Sequence, residues 1–341
     1  MGSWKDTKQL IKKMRPLKAW QLLKLYTTYY LSKTGLKLVH AGLPVSMSIE
    51  PTTSCNLRCP ECPSGLRSFS RPTGLLDQTF FRQVIDQTKD HLLYLNLYFQ
   101  GEPYLHPQFL DLVSYATSNG IYTNTSTNAH FLNEEKALET VKSGLDRLII
   151  SIDGTSQDTY ASYRVGGRLD KVIAGAKAMV KAKKELKSHT PHIVFQFLVV
   201  GPNEHQIEEV KALAKEIGVD EVTFKTAQIY DYEHGSPLIP KQERYARYRQ
   251  TSNGKWQLKY KLEDACWRMW QGTVITWDGK VVPCCFDKDA SHQLGDLQTE
   301  TLASIWQSNR YEDFRKAVFT DRASIDICRN CSEGSRILLE A

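Results

Sequence analysis

The chain has 341 residues, 41% of them apolar, with 44 Lys and Arg against 38 Asp and Glu for a formal charge of +6. That length accommodates one large domain and a smaller one. No run of about 18 apolar residues occurs, which excludes a membrane-spanning helix, and no apolar segment with a cleavage site follows the basic N-terminus, so no signal peptide and a cytoplasmic location are expected.

Residues 1–43 read as a helical arm. Leu10, Ile11, Met14, Leu17, Trp20, Leu23, Tyr26 and Tyr30 recur at helical spacing. Pro16 starts a second helix and Gly35 breaks it. Residues 1–40 hold nine Lys and Arg against Asp6 alone, a surplus of eight, so the rest of the chain carries −2. The basic character is local and no nucleic-acid surface is expected. The expected arrangement is a helix packed on the main domain with a solvated basic face; weak contact with an anionic membrane surface or an acidic partner is the alternative.

From residue 44 to 230, strand-like runs alternate with helical ones. The runs are Val45–Pro51, Tyr94–Gln100, Ile121–Asn128, Arg147–Asp153, His192–Val200 and Glu221–Tyr230. Helical patterns lie at Asp77–Lys89, Gln108–Ser118, Glu134–Ser143, Lys171–Leu186 and Glu204–Ile217. This alternation predicts a parallel α/β sheet. A parallel sheet covered on both faces should be apolar on both. Here Ser46, Ser48 and Glu50 share a face, as do Asn96, Tyr98 and Gln100, and Tyr122, Asn124, Ser126 and Asn128. Ser151 and Asp153 continue the pattern, and Gln196 and Lys225 sit in the last two runs. One face therefore lines a polar cavity, which predicts a partial barrel with its chemistry at the C-terminal strand ends.

At the first such end stands Cys55-Asn56-Leu57-Arg58-Cys59-Pro60-Glu61-Cys62. Three thiolates from one short loop can hold three corners of an iron–sulfur cubane and leave the fourth iron open. A structural zinc site is the alternative, though it normally closes with four ligands.

Residues 231–264 read as a connector, with Gly235, Pro237, Pro240 and Gly254 and a short helical pattern at Gln242–Gln250. Asp231, Tyr232, Glu233 and His234 could supply a general base, although a solvated polar loop is the expected reading. Residues 265–341 form a smaller unit. Gly272–Thr276 and Lys280–Pro283 flank an Asp278-Gly279 turn, a strong hairpin signal. A helix at Leu302–Val318 precedes Cys328-Arg329-Asn330-Cys331. With no signal peptide expected, cysteines in two groups favour two metal sites over disulfides.

The CxxxCxxC spacing of Cys55, Cys59 and Cys62 resembles the signature of the radical S-adenosylmethionine (radical SAM) superfamily. The resemblance implies a partial (β/α)6 TIM-like barrel, a small C-terminal iron–sulfur domain and, here, an N-terminal helical arm. It implies a [4Fe–4S] cluster whose open iron binds the amino and carboxylate groups of S-adenosylmethionine. Gly101-Glu102-Pro103 resembles the family's GGEP-type motif, with Gln100 in place of the first glycine, and Glu102 is suited to the substrate ammonium. Ser126 and Asn128 lie where the family contacts the ribose and methionine portions. Ser151 and Asp153 occupy the next strand end, and Arg164 is a candidate partner of the methionine carboxylate.

The tail resembles the SPASM/Twitch extension, with Cys266, Cys284, Cys328 and Cys331 closing one auxiliary [4Fe–4S] cluster. Cys285 is left over, either replacing Cys284 or free; neighbours on a strand point oppositely, so the two are not expected on one iron. A zinc ribbon is the alternative for this unit. The resemblance implies an electron donor such as flavodoxin or ferredoxin, reductive cleavage of S-adenosylmethionine to a 5′-deoxyadenosyl radical, and hydrogen abstraction from a substrate. A closed auxiliary cluster would accept an electron, which makes the expected reaction an oxidation or other modification of a small molecule or sugar. Residues 1–43 are expected to be too few for the winged-helix leader-binding domain of many peptide-modifying relatives, but a peptide or protein maturase remains open. A non-catalytic zinc-binding interaction module is the reading from a different class.

Overall fold

The protein is described here from a computed structural model that covers residues 4–35, 37–260 and 262–334. The other residues of the predicted arm (1–43), connector (231–264) and tail (265–341) lie outside the described residues.

Two helices come first, α1 (Trp4–Lys12) and α2 (Pro16–Lys33). Pro16 opens α2, where its missing N–H costs no helical bond. Six strands follow: β1 (Ser46–Ile49), β2 (Tyr94–Asn96), β3 (Tyr122–Thr127), β4 (Arg147–Ser151), β5 (His192–Val199) and β6 (Glu221–Thr226). Between them run α3 (Pro63–Leu66), α4 (Gln78–Thr88), α5 (Phe109–Ser118), α6 (Glu134–Lys142), α7 (Gln157–Tyr163), α8 (Leu169–Glu185) and α9 (Ile207–Ile217). The short α3 and α7 are additional to the sequence expectation. Asp77 starts α4 by accepting from Phe80 N at 2.8 Å, and Asn133 starts α6 by accepting from Lys136 N at 2.7 Å. Such caps satisfy N–H groups that the first helical turn leaves unpaired.

Strands β1 to β6 pair in sequence order and in parallel. Their outer side chains, among them Met47, Leu95, Leu148 and Phe195, are buried in one apolar core with α4, α5, α8 and α9. The inner face is polar, as the alternation predicts. Asn96 Nδ2 donates to Ser48 Oγ at 3.2 Å, and Asn124 Nδ2 donates to Asn96 Oδ1 at 2.7 Å. Part of that face is thus a hydrogen-bonded ladder across β1, β2 and β3, which offsets part of the cost of burying these groups. The architecture is the partial (β/α)6 barrel.

The arm closes the barrel's N-terminal end. Asp6 of α1 is buried, accepting from Tyr122 Oη and pairing with Arg147. Lys13 pairs with Asp146 at 3.8 Å, and Lys18 Nζ donates to Gly120 O at 2.7 Å. Two of the arm's lysines therefore serve packing.

Two further regions differ from the sequence expectation. Gln242–Gln250 forms one turn and then an antiparallel ribbon, β7 (Tyr248–Gln250) with β8 (Trp256–Leu258). Tyr248 stacks on Tyr232 at 4.7 Å and its hydroxyl donates to Asn330 Oδ1 at 2.7 Å, so tertiary contacts override a weak helical pattern. The tail begins with α10 (Trp267–Gln271), then β9 (Gly272–Ile275), β10 (Lys280–Val282) and β11 (Gly295–Asp296). The predicted helix Leu302–Val318 is two helices, α11 (Leu302–Trp306) and α12 (Asn309–Asp321), because Ser308 is extended and caps the second by accepting from Tyr311 N. A last turn, α13 (Asp326–Arg329), carries Cys328. Strand β9 pairs in parallel with β1, Ser46 opposite Gly272, so the tail's hairpin extends the barrel sheet.

Candidate active site

The loop after β1 crosses the C-terminal mouth of the barrel. Cys55, Cys59 and Cys62 line one cavity of about 170 Å³, together with Gly101, Glu102, Ser126, Asn128, Ser151 and Arg164. Of the residues selected from the sequence for S-adenosylmethionine contact, only Asp153 is not on that lining. It is fully buried behind it. Its carboxylate pairs with Arg164 Nε and accepts from Leu198 N at 2.7 Å. Asp153 thus aims Arg164, whose Nη1 lies 3.8 Å from Cys59 Sγ.

The loop is held by close packing. Gly65 of α3 lies so near the loop that a Cβ there would meet Cys59 N at 2.5 Å and Cys59 O at 2.6 Å. Gly101 has φ +76, a left-handed conformation that disfavours side chains. A Cβ there would also meet Thr52 O and Ser54 O. Its N–H donates to Ser64 Oγ at 2.8 Å. The Glu102 N–H donates to Ser54 O at 2.8 Å, which ties the β2 end to the cysteine loop.

Glu102 does more internal work than its sequence context suggests. Its carboxylate accepts from Thr127 Oγ1 at 2.6 Å and from Asn128 N at 2.7 Å. Burial pushes its pKa up to about 7, and these donors oppose the shift. Asn128 in turn donates through Nδ2 to Asn56 Oδ1 at 2.7 Å. One chain of bonds therefore runs from β2 through the β3 end to the cysteine loop.

Burial raises the thiol pKa of Cys55 to about 11 and also raises that of Cys59, with Arg164 opposing it at Cys59. Such thiols stay protonated until a metal centre replaces the proton.

A second cavity is lined by Cys266, Cys284, Cys328 and Cys331, with Arg322 and Glu333 among its other walls. Arg322 is buried; its Nη2 lies 3.3 Å from Cys331 Sγ and donates to Glu333 O at 2.7 Å. Burial pushes Cys331 up to about 12 and Arg322 opposes this. Nothing in the sequence marked Arg322, because no spacing links it to the cysteines. Cys285 is not on this lining; its Sγ lies 3.5 Å from Arg268 Nη1, and together with Cys284 it borders a small neighbouring cavity beside Ser46 and Ser48 of β1.

The donor set in both places is thiols around a cavity, three in the first and four in the second. Three thiols with an open wall suit a cubane with one free iron, and four suit a closed one.

Other parts of the mouth escape the sequence reading. Tyr98, Phe99 and Thr127 line the first cavity. Tyr98 shares its strand face with Asn96 and Gln100, a period-two signal, whereas Phe99 and Thr127 carry no signal. Glu61, inside the cysteine loop, accepts from Tyr230 N at 2.9 Å, and Lys288 of the tail donates to Tyr230 Oη at 2.7 Å. The connector group Asp231, Tyr232, Glu233 and His234 is not on either cysteine-lined cavity; Asp231 and His234 are exposed and bonded to each other at 2.7 Å.

Comparison with known proteins agrees with this layout. The family model of the radical SAM superfamily matches residues 49–224, and that of SPASM, an iron–sulfur cluster-binding domain, matches residues 266–332. The tungsten-containing aldehyde ferredoxin oxidoreductase cofactor-modifying protein of Pyrococcus furiosus is 27% identical over 314 residues, covering 83% of this chain and 86% of that protein. PqqA peptide cyclase of Gluconobacter oxydans is 26% identical over 317 residues, covering 86% and 84%. SuiB of Streptococcus suis, solved with S-adenosylmethionine, superposes with a TM-score of 0.64 at 15% identity over 93% of this chain and 76% of that one. BtrN, solved with AdoMet and 2-DOIA, gives 0.55 at 17% identity over 89% and 98%. These two likenesses speak to fold.

Proposed function

We propose, from the premise that this chain belongs to the radical SAM superfamily and carries a SPASM iron–sulfur domain, that it oxidises a substrate held between its two cysteine-lined cavities. Membership leaves the reading as a non-catalytic zinc module without support. When bound, the first cluster supplies the electron that splits S-adenosylmethionine into methionine and a 5′-deoxyadenosyl radical. Cys55, Cys59 and Cys62 would hold that cluster. Arg164, aimed by Asp153, would meet the methionine carboxylate. Ser126, Asn128 and Ser151 would orient the rest of the molecule, with Gly101 and Glu102 keeping the β2 end against the loop. Flavodoxin or ferredoxin is the proposed electron source.

The observation that carries the oxidation is the second cavity, where Cys266, Cys284, Cys328 and Cys331 meet. Four thiols close a cubane, so the auxiliary centre would take an electron and not bind substrate. A peptide is the favoured substrate, because PqqA peptide cyclase is similar over most of both chains. A small alcohol or sugar is the second reading, favoured by the four-thiol cavity of the tail.

Anaerobically reconstituted protein should carry about eight iron per chain. With a strong reductant and S-adenosylmethionine it should release 5′-deoxyadenosine. Cys59→Ala should abolish release. Cys328→Ala should retain some release while losing substrate oxidation. Stoichiometric zinc, with no 5′-deoxyadenosine under reductant, would overturn the proposal. Candidate peptides and sugars are ranked by how far each stimulates 5′-deoxyadenosine release.

A further inference from the structure

Helix α2 buries Leu25 and Tyr29 in the main core, but its other buried side chains are polar: Lys18, Gln21, Thr28 and Ser32. Each of these four has an internal partner: Lys18 on Gly120 O, Gln21 on Leu43 N at 3.0 Å, Thr28 on Lys24 O at 2.8 Å and Ser32 on Val39 O at 3.0 Å. The outward side carries Leu17, Trp20, Leu23, Tyr26, Tyr30 and Leu31. Trp20 is 54% and Leu31 58% exposed, which is unusual for several large apolar groups on one helix. Leu17, Trp20, Lys24, Thr27 and Leu31 follow one line of helical spacing, about 21 Å long at 1.5 Å per residue. Thr27, the one neutral polar residue on that line, turns its hydroxyl back to Leu23 O and Lys24 O. On α1, Trp4, Lys8 and Ile11 repeat the pattern, with Trp4 74% exposed.

Cations lie on and around this face, with Lys24 over the Trp20 ring. Lys8, Lys12, Lys24 and Lys37 make no ion pair among the described residues, whereas Lys13 pairs with Asp146, Lys33 with Glu263 and Asp6 with Arg147. The arm's one acid, Asp6, is buried. A second copy of the chain is a poor occupant, since two arms each carrying the unpaired Lys8, Lys12, Lys24 and Lys37 would face one another. A surface that is negative and accepts Trp, Tyr and Leu side chains at shallow depth is complementary. That is the headgroup region of an anionic bilayer.

We propose that the outward face of α1 and α2 docks this protein onto the surface of an anionic lipid bilayer. The helices lie in the interface plane, with Trp20, Leu23, Tyr30 and Leu31 among the acyl chains and the lysines at the headgroups. None of the described helices is long and apolar enough to cross the bilayer, so attachment is peripheral and salt-sensitive.

The test is flotation of the reconstituted full chain with vesicles of equal parts phosphatidylglycerol and phosphatidylcholine, and with pure phosphatidylcholine. The chain should float with the first and stay behind with the second, and raised salt should release it. Lys24→Gln should weaken binding about fivefold. Trp20→Glu with Leu31→Glu should abolish it; both side chains are solvent-facing, and unchanged iron content and melting temperature show that the variant is folded. Failure of the unaltered chain to float with anionic vesicles overturns the proposal. So does equal binding to both vesicle types, or a monomer–dimer shift in the variant with no change in flotation, which assigns the face to a second copy. If the variant does not fold, the salt and lipid dependence of the unaltered chain still decide.

Discussion

Cys284 and Cys285 share one small cavity, but only Cys284 also lines the cavity of Cys266, Cys328 and Cys331, while Cys285 Sγ lies 3.5 Å from Arg268 Nη1. Cys284→Ser should therefore remove about half of the roughly eight iron atoms expected for two cubanes. Cys285→Ser should leave iron content unchanged. Iron assay after anaerobic reconstitution decides between them, and equal iron loss in both variants would contradict the assignment.

Gly101→Ala tests the tie between β2 and the cysteine loop. A side chain at φ +76 costs about 1–2 kcal/mol. The added methyl must also displace the Thr52 and Ser54 carbonyls. The expected outcome is a lowered melting temperature together with weakened S-adenosylmethionine binding, read by thermal denaturation and equilibrium dialysis.

Asp153 and Arg164 form a pair with side-chain exposures of 0% and 17%. Asp153→Ala leaves the guanidinium buried without its counter-charge, a loss of roughly 3–5 kcal/mol. Asp153→Asn keeps one hydrogen bond and should spare much of that stability while raising the KM for S-adenosylmethionine. If Asp153→Asn changes stability but not KM, Asp153 does not aim Arg164 at the ligand.

His40 gives the fold an acid-sensitive contact. It packs edge-on against Trp270 and Trp306, and Nε2 lies 3.1 Å from Trp270 O. Burial, helped by Arg315, lowers its pKa to about 3. The unfolded imidazole takes up a proton near its ordinary 6.5 and the folded one does not, so the unfolded state binds more protons between these values. Stability therefore falls as pH drops below about 6.5, by about 2 kcal/mol between pH 7 and pH 5. His40→Phe should flatten this slope, measured as melting temperature against pH.

The six strands were legible because period-two alternation survives burial. Ser46, Ser48 and Asn96 are polar where a two-sided parallel sheet would be apolar, and that contrast disclosed the inner cavity. The cysteine loop was legible because its three cysteines lie within eight residues. Asp153's part behind Arg164 was not, since alternation places a residue on a face without saying which neighbour it meets. The break at Ser308 was carried by a capping signal, Ser308-Asn309, inside a run whose apolar spacing continues across it. Helix α2 is the sharpest mismatch. Its lysines suggested a solvated basic face, but Lys18 points inward to a carbonyl, and the aromatic side chains of Trp20, Tyr26 and Tyr30 face out.

The parallel pairing of β9 with β1 gives the tail a second significance. Val45 N donates to Gln271 O and Glu50 N to Ile275 O, so the barrel's first strand is flanked on one side by the tail. Deleting the tail would not release a detachable module. It would bare the amides of β1 along an open sheet edge, a template for strand addition by other chains. A form shortened before residue 265 would therefore be expected in aggregates before it could be assayed.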